Sequence, residues 1–287
     1  MGTLSAMKSI TLVGHSGCKL EVAELQGSLV VIKTSKDVAY NSRLAAQHEK
    51  QKAFKQDAFR VPAVLDSRHE NGLFTFSMEY VHGFTLAEHL KKADASSIQS
   101  IADKFLSLIP KKHAYDYGAK KVFDNKLTEL EPKIDLRSNA TVGKAFRKLQ
   151  EYEWEYSIFS DCHGDLSLEN IIWKDGDLYL IDFLDSFYDS WMIDFAKLLL
   201  DIECLWSYRH ESTVDENLKT RLSILKDILL GELLSLEDGK RIVHTMYHMA
   251  LINLLRMLPY TKEERTLKQL HTGVARIHYL LDLTSGK

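Results

Sequence analysis

The feature of the sequence that most constrains its fold is an apolar hairpin with polar groups at its ends. Residues 163–183 read HGDLSLENIIWKDGDLYLIDF, with two short β-prone runs on either side of Asp175-Gly176. An Asp-Gly dipeptide between two such runs is a strong signal for a tight β-turn. The segment therefore predicts a two-stranded hairpin that carries acids and an amide at its open end.

The length of the turn decides which residues of the hairpin face each other. A loop made of residues 175–177 places Asn170 opposite Asp182, whereas a two-residue loop pairs Asn170 with Ile181. Either register brings Asn170 and Asp182 to the same end of the hairpin. Asp165 precedes Asn170 by five residues, so we expect it on the loop that leads into that end.

The chemistry of these three side chains suggests a metal-dependent reaction. The amide of Asn170 and the carboxylate of Asp182 are oxygen ligands of the kind that suits Mg²⁺, which usually shares its shell with water and substrate phosphates. Asp165 is then available to act on a substrate proton. The alternative is that all three residues cap strands and turns, as Asp and Asn often do.

The rest of the chain divides into a β-rich first part and a helical second part. Short β-branched runs occupy the first eighty residues, interrupted by a helical pattern over residues 41–59 that ends before Pro62, and another strand follows over residues 73–80. Beyond Gly83 the pattern is mostly helical. It includes a helix after a Thr141 N-cap and a tail of three or four helices; breaks in the tail are expected near Gly231, Gly239 and Pro259.

This division predicts an α+β protein with two lobes. The first covers residues 1–82 and the second residues 83–287, with a hinge over residues 78–83. Ligands commonly bind in clefts between such lobes. The apolar run 242–255 is short and contains two histidines and an asparagine, so we expect a buried helix and not a membrane span.

The pattern HGDLSLEN followed by IDF resembles the H-x-D-x-x-x-x-N catalytic loop and the metal-binding Asp of the protein-kinase-like fold. HGD in place of HRD is similar to the aminoglycoside phosphotransferase and choline kinase family, and the likeness extends over most of the chain. The resemblance implies a small β-rich N-lobe, a larger helical C-lobe and a small-molecule kinase activity. It makes Asp165 the catalytic base, Asn170 and Asp182 the Mg²⁺ ligands, and His163 and Asp194 supports of the catalytic loop.

The resemblance also implies a nucleotide site in the first lobe, for ATP with GTP as the alternative. It assigns the phosphates to a Gly-rich loop and to a lysine, and the base to the hinge. The corresponding residues are Gly14, Ser16, Gly17, Lys33, its helix partner Glu49, and the hinge residues Met78, Glu79 and Val81. Glu79 and Val81 are expected to bind the base through their backbone groups, with Met78 as the gatekeeper.

Two departures from the protein-kinase pattern favour a small acceptor. Phe-Leu follows Asp182 where protein kinases have Phe-Gly, and only twelve positions separate Asp182 from Asp194, which leaves little room for a peptide-docking platform. Asp185, Asp189 and Trp206 are candidates for acceptor binding. A sugar, an amino alcohol and an aminoglycoside-like compound all remain open, because acids suit hydroxyl or ammonium groups and aromatics suit a choline-like cation.

Composition narrows the function classes further. A net charge of −3 gives no electrostatic reason to expect a nucleic-acid partner, and three cysteines without a CxxC spacing argue against a disulfide framework or a zinc site. No apolar leader opens the sequence, so we expect a cytoplasmic protein without a membrane partner. A protein kinase and a non-catalytic nucleotide-binding module are the competing interpretations, and the sequence leaves the oligomeric state undecided.

Overall fold

An antiparallel sheet forms the framework of the first structural unit. The computed structural model of the chain describes residues 10–12, 17–25, 27–137 and 139–284. Over these residues, the sheet has the strand order β1-β2-β3-β5-β4. Its strands are β1 (Ile10–Leu12), β2 (Lys19–Leu25), β3 (Ser28–Thr34), β4 (Val64–Glu70) and β5 (Leu73–Glu79).

Strand β4 is the element that the sequence pattern did not predict. Six of its seven residues, from Leu65 to Glu70, are exposed, so the alternation of apolar and polar residues that marks a half-buried strand is missing. Its pairing partner β5 is buried along most of its length. The hairpin between them turns at Asn71-Gly72, where both residues have positive φ, as a tight two-residue turn requires.

The helix between β3 and β4 packs one face on this sheet. Helix α1 covers Asn41–Ala53 and ends well before Pro62, because Phe54 adopts an extended backbone with ψ of 126°. The expectation of a helix to residue 59 was therefore too long. The buried face of α1 consists of Leu44, Gln47, His48 and Gln51, and Leu44 joins a small core with Cys18, Phe74, Phe76 and Met78.

The predicted hairpin is present and has the two-residue loop. Strands β7 (Ile171–Lys174) and β8 (Asp177–Leu180) follow the two-residue β6 (Phe84–Thr85) in the sheet order β6-β7-β8. Ile171 pairs with Leu180. The loop residues Asp175 and Gly176 have φ of 51° and 88°, the left-handed conformation that Asp and Gly adopt most readily.

Contacts within the chain define two compact units. The first consists of Met1–Phe84 together with Ile171–Asp185, and the second of Thr85–Asn170 together with Ser186–Lys287. The hairpin thus groups with the first sheet, whereas a division of the sequence at residue 83 counts it with the helices. Within the first unit, Arg60 fixes the hairpin. Its backbone N–H donates to the Leu178 carbonyl, and its carbonyl accepts the Leu180 N–H. Its guanidinium lies 2.7 Å from the Asp177 carboxylate.

The second unit is helical. Its elements are α2 (Leu86–Leu90), α3 (Ala95–Leu106), α4 (Ala119–Leu130), α5 (Ala140–Gln150), α6 (Trp191–Cys204), α7 (Glu216–Ser235), α8 (Gly239–Met257) and α9 (Glu264–Thr284). Helix α8 buries every residue from Ile242 to Leu255 except His244, which confirms the expectation of a buried helix there. Within the described part of the chain, no helix combines the length and apolarity needed to cross a bilayer.

Two features of the helices differ from the sequence prediction. The N-cap of α5 is Asn139, whose side-chain oxygen accepts the N–H groups of Thr141 and Val142 at 3.0 and 3.2 Å; Thr141 therefore lies inside the helix. Helix α7 continues through Gly231, where neighbouring i to i+4 backbone bonds outweigh the modest cost of one glycine. The breaks in the tail fall at residues 236–238 and 258–263, which confirms the breaks expected near Gly239 and Pro259.

Candidate active site

The proposed catalytic loop, residues 163–170, is held together by its own short-range hydrogen bonds. The Asp165 N–H donates to Nδ1 of the buried His163 at 3.2 Å, and the Ser167 N–H donates to the Asp165 carbonyl at 2.9 Å. A 3₁₀ turn at Leu168–Asn170 closes the loop. These bonds satisfy backbone groups that a loop would otherwise leave unpaired, so the loop has a defined conformation.

Helix α6 anchors this loop from one face. Asp194, which is 2% exposed, accepts the backbone N–H groups of His163 and Gly164, both at 2.7 Å. Seven residues later, Asp201 accepts the Leu168 N–H at 2.8 Å. Seven residues make about two helical turns, so both carboxylates lie on the same side of α6 and bond opposite ends of the loop.

Burial changes the ionisation of Asp201. The carboxyl is fully buried, and this burial raises its pKa to about 6, with a smaller contribution from the charge of Glu169. The Ser207 O–H and N–H and the Leu168 N–H oppose the rise because they stabilise the carboxylate. One of the two loop anchors therefore titrates close to neutral pH.

The Asp165 carboxylate is held at both of its oxygens. Oδ1 lies 2.9 Å from Nζ of Lys197, and Oδ2 accepts Nδ2 of Asn170 at 3.2 Å. Burial would raise the pKa of Asp165, but the charge and hydrogen bond of Lys197, the charge of His163 and the Asn170 bond outweigh it and lower the pKa. Because 32% of the side chain stays exposed, the ionised group is accessible.

Asn170 has its nitrogen turned toward Asp165. Nδ2 donates to the Asp165 carbonyl at 2.9 Å as well as to its carboxylate. The amide oxygen, on the other branch of the same group, is the atom that a hard cation would need. The geometry of Asn170 thus fits the role of a metal ligand.

An ion pair supports the loop from a second side. The Arg209 guanidinium lies 2.8 Å from Glu169 and stacks over the Trp206 ring at 4.8 Å. Arg209 is buried, with 6% of its side chain exposed. Trp206, which we expected to bind the acceptor, therefore contacts a residue that holds the catalytic loop.

In the first unit, Lys33 and Asp182 form a close ion pair. Lys33 on β3 is 4% exposed, and its Nζ lies 2.5 Å from Oδ1 of Asp182. Asp182 follows β8 with φ of 60°, a left-handed conformation that few non-glycine residues other than Asn and Asp adopt. Its side chain is 41% exposed, so a carboxylate oxygen can be reached from solvent.

The helix partner of Lys33 is Gln47, and the expected partner Glu49 is not in contact with it. Nζ of Lys33 lies 3.3 Å from Oε1 of the buried Gln47. Glu49 points to solvent with 70% of its side chain exposed and pairs with His48 at 2.9 Å. The two residues differ by two positions, which is more than half a turn of helix, so only one of them can face the sheet.

The remaining nucleotide-site predictions concern residues 14–17 and residues 78–81. Gly14 and Ser16 lie outside the described residues, whereas Gly17 is described and has φ of 74°. Met78 is buried, and its sulfur accepts Nε2 of Gln51 at 3.4 Å. The Glu79 N–H bonds the Ala63 carbonyl, and Val81 is half-buried.

The two acids predicted to bind an acceptor have different surroundings. Asp185 is exposed. Asp189 is half-buried and accepts the Ser186 hydroxyl at 2.5 Å and the Cys162 thiol at 3.4 Å. Acceptor binding by either residue stays a prediction.

The sequence reasoning missed the roles of four residues: Gln47, Lys197, Asp201 and Arg209. Three of them carried a usable signal. Gln47 lies between Leu44 and Gln51 at the three- and four-residue steps of a buried helix face, and Lys197 and Asp201 repeat the spacing from Asp194. Arg209 carried no such signal, because its ion pair with Glu169 joins residues forty positions apart.

Comparisons with known proteins identify the family and the fold of the chain. The model of the phosphotransferase enzyme family APH matches residues 20–219. No curated protein sequence matches the chain significantly.

Among solved structures, a thermostable mutant of aminoglycoside phosphotransferase APH(4)-Ia in complex with AMP-PNP and hygromycin B has a TM-score of 0.65 and 14% identity, covering 100% of this chain and 96% of that one. ADP-bound APH(2'')-Ib has a TM-score of 0.57 and 13% identity, covering 94% and 93%. Amicoumacin kinase hAmiN with AMP-PNP, Ca²⁺ and its ligand has a TM-score of 0.57 and 13% identity, covering 95% and 91%.

The antiparallel sheet, the helical unit and the anchored loop define a protein-kinase-like phosphotransferase. The family model spans 200 of the 287 residues. The chain belongs to the phosphotransferase enzyme family, and it is a small-molecule kinase with a hydroxyl group as acceptor.

Proposed function

We propose that the protein transfers the γ-phosphoryl group of ATP to a hydroxyl of a sugar, an amino alcohol or an aminoglycoside-like compound. The acceptor oxygen bonds the γ-phosphorus while the bond from that phosphorus to the β–γ bridging oxygen breaks. ADP leaves with that oxygen, and the hydroxyl proton passes to the Asp165 carboxylate. The named ligands of the similar structures, hygromycin B among them, support an acceptor of this size and polarity.

The observation that carries this proposal is the state of Asp165. Its carboxylate is ionised, one-third exposed and bonded at both oxygens, on a loop that Asp194 and Asp201 fix to α6. A module that only binds nucleotide has no need of an accessible, oriented carboxylate at this position. Such preorganisation is what proton transfer from an acceptor hydroxyl requires.

Lys33, Asn170 and Asp182 are proposed to hold the nucleotide and Mg²⁺. Within the described residues, no group of three or more His, Cys, Asp or Glu side chains is arranged to hold a metal ion. The proposed site uses one carboxylate and one amide, and phosphate oxygens and water complete the shell. Ile171 and Leu180 pair at the end of the hairpin; Asn170 directly precedes Ile171, and Asp182 lies two residues after Leu180. When bound, Mg²⁺ would neutralise phosphate charge.

Two predicted features remain parts of the proposal. Lys33 binds the α- and β-phosphates, and the Glu79 and Val81 backbone binds the base. Mg²⁺ as the divalent ion and ATP as the phosphoryl donor follow from the resemblance to the family, with GTP as the alternative donor. The division into lobes at residues 78–83 is proposed as the hinge between the nucleotide site and the acceptor site.

A label-transfer experiment tests the proposed function. The protein is incubated with γ-labelled ATP, Mg²⁺ and a soluble metabolite extract, beside the variants Asp165→Asn and Asp161→Asn. Asp161 is exposed and lies four positions from Asp165, so it is a matched control. We expect label in a small product with the wild type and the Asp161 variant, and none with Asp165→Asn.

The competing functions give different results in the same experiment. Label on protein and not on small molecules would identify a protein kinase. Nucleotide binding without transfer to any component would favour a non-catalytic module. A small labelled product that forms equally with Asp165→Asn would remove Asp165 from the mechanism.

A further inference from the structure

We infer that Lys197 is a positioning residue for phosphoryl transfer: its ammonium group fixes the Asp165 carboxylate in the orientation that receives the acceptor proton. This inference rests on the proposed function, because it gives Lys197 a task only if Asp165 is the base. None of the sequence motifs assigned to the reaction includes Lys197.

The contact itself is short and well shielded. Nζ of Lys197 lies 2.9 Å from Oδ1 of Asp165, and 15% of the lysine side chain is exposed. Exposed lysines lose considerable rotamer entropy when they are held in one geometry, which is why surface ion pairs contribute little. Here the packed stem of Lys197 limits that freedom before the pair forms.

The position of Lys197 on α6 fixes its distance to the loop. It lies three residues after Asp194 and four before Asp201, so the three side chains share one helix face. The two acids bond the loop backbone at His163, Gly164 and Leu168. Because the same rigid helix carries the anchors and the ammonium group, the relation between Lys197 and Asp165 does not depend on a flexible segment.

The segment between Asp165 and Asn170 supplies no positive charge of its own. Between Asp165 and Asn170 the sequence reads LSLE, with one acid and no base. Lys197 therefore provides, from a neighbouring element, the cation that contacts the base. Asn170 holds the second oxygen of the carboxylate through Nδ2, so rotation of the group is restricted at both ends.

Holding both oxygens still leaves the carboxylate able to react. Each carboxylate oxygen has two lone pairs, and Lys197 and Asn170 use one on each. Because the two contacts fix the carboxylate group, they also fix the directions of its remaining lone pairs. A hydroxyl of the acceptor then meets the base in one geometry, and a misplacement of about 1 Å in such a site costs on the order of 100-fold in rate.

The alternative is that the pair only stabilises the fold, and four variants separate the two roles. Lys197→Met removes the charge and keeps a side chain of similar volume. Lys197→Gln also removes the charge but keeps a polar end group. Lys197→Arg keeps the charge. Lys226→Met is the matched control, because Lys226 also lies on a helix, is 20% exposed and pairs with a carboxylate, Glu203, at 3.1 Å.

The readouts are kcat, KM for Mg·ATP and Tm, measured with γ-labelled Mg·ATP and the metabolite extract, and with water as acceptor through ATP hydrolysis. We expect Lys197→Met and Lys197→Gln to lower kcat roughly 100-fold with KM for Mg·ATP changed less than about twofold. Lys197→Arg should recover part of the loss, and Lys226→Met should match the wild type. A loss of Tm with unchanged kcat in both neutral variants would overturn the inference.

A double-mutant cycle shows whether Lys197 acts through Asp165. In the Asp165→Asn background, Lys197→Gln should produce no further loss of rate, because residues that work as a unit are non-additive. A full additional loss would mean that Lys197 acts elsewhere and would overturn the inference. If the single variant Asp165→Asn keeps the wild-type rate, the proposed role of Asp165 as the base fails. If Asp165→Asn lowers the rate and the single variant Lys197→Gln does not, the proposed function stands and the inference fails.

Discussion

Lys33 and Asp182, which are 149 positions apart in the sequence, meet as an ion pair with 2.5 Å between Nζ and Oδ1. The lysine is almost fully buried and the aspartate is partly exposed. A buried ammonium needs an anionic partner, since an unpaired buried charge is costly. The pair therefore holds one positive and one negative group at the place where a nucleotide with its metal is proposed to bind.

The first prediction concerns the residue that supports Lys33. Gln47→Ala should weaken Mg·ATP binding several-fold, because it removes the amide that lies 3.3 Å from Nζ, a contact to a charged group worth about 1.5–3 kcal/mol at most. Glu49→Gln should leave the affinity unchanged within about twofold, because exposed ion pairs contribute little. Isothermal titration calorimetry with Mg·ATP measures both.

Gln47 and Glu49 thus act as each other's control, since they lie on the same helix. A weaker affinity in Glu49→Gln with a normal affinity in Gln47→Ala would contradict the contacts described for Lys33. Thermal unfolding of both variants shows whether any change in affinity reflects a loss of folding.

The second prediction concerns the pH dependence of stability. The pKa of Asp201 is 3.8 in the unfolded chain, and burial raises this pKa to about 6 in the folded protein. The folded state therefore binds more protons between these values, so stability from this group is greatest below about pH 4 and falls as pH rises to about 6. The full change is about 3 kcal/mol.

Asp201→Asn removes this titration and isolates it from the other acids. The free energy of unfolding of the wild type minus that of Asp201→Asn should fall between pH 4 and pH 7, as measured by urea denaturation at several pH values. A difference that stays constant over this range would show that Asp201 titrates at its ordinary value.

The third prediction sets two glycines against each other. A Cβ added at Gly83 would lie 2.5 Å from the Trp173 carbonyl oxygen and 2.6 Å from Cγ2 of Ile172, so Gly83→Ala should destabilise the protein by about 1–3 kcal/mol. Gly231 lies inside α7 and a Cβ there meets no atom within 4 Å. Gly231→Ala should stabilise the protein by up to about 1 kcal/mol.

Denaturant unfolding of the two variants measures the sign of each change in the free energy of unfolding directly. A Gly83→Ala variant as stable as the wild type, or more stable, would contradict the close approach of Gly83 to β7. A destabilised Gly231→Ala would contradict the continuous course of α7 through that position.

The sequence predicted the elements whose pattern is local. The β-branched runs, the Asp175-Gly176 turn and the buried helix around residues 242–255 each carry their own periodicity or turn signal, and all three are present. The exposed strand β4 has no such pattern; it exists because its backbone pairs with β5. Pairing between backbones leaves little trace in side-chain composition.

In the candidate site too, the residues with a local sequence pattern could be predicted, and those that depend on distant contacts could not. Asp165, Asn170 and Asp182 could be selected from one short segment, because their spacing around a hairpin carries the information. Gln47 was passed over for Glu49 because a glutamate is the chemically obvious partner of a lysine, although helix geometry places the neutral residue on the buried face. Lys197 repeats the helical spacing from Asp194, but its partner Asp165 lies 32 positions away in the sequence. Arg209 contacts Glu169, 40 positions away, and only the folded chain reveals that contact.

The measurement that tests the central claim most directly compares the wild type with Asp165→Asn at saturating γ-labelled Mg·ATP. The dissociation constant for Mg·ATP and the rate of label transfer are determined on the same samples, with Asp161→Asn as control. We expect the affinity of Asp165→Asn to stay within about twofold of the wild type while transfer falls by at least 100-fold. Transfer at the wild-type rate by Asp165→Asn would show that this carboxylate is not the base.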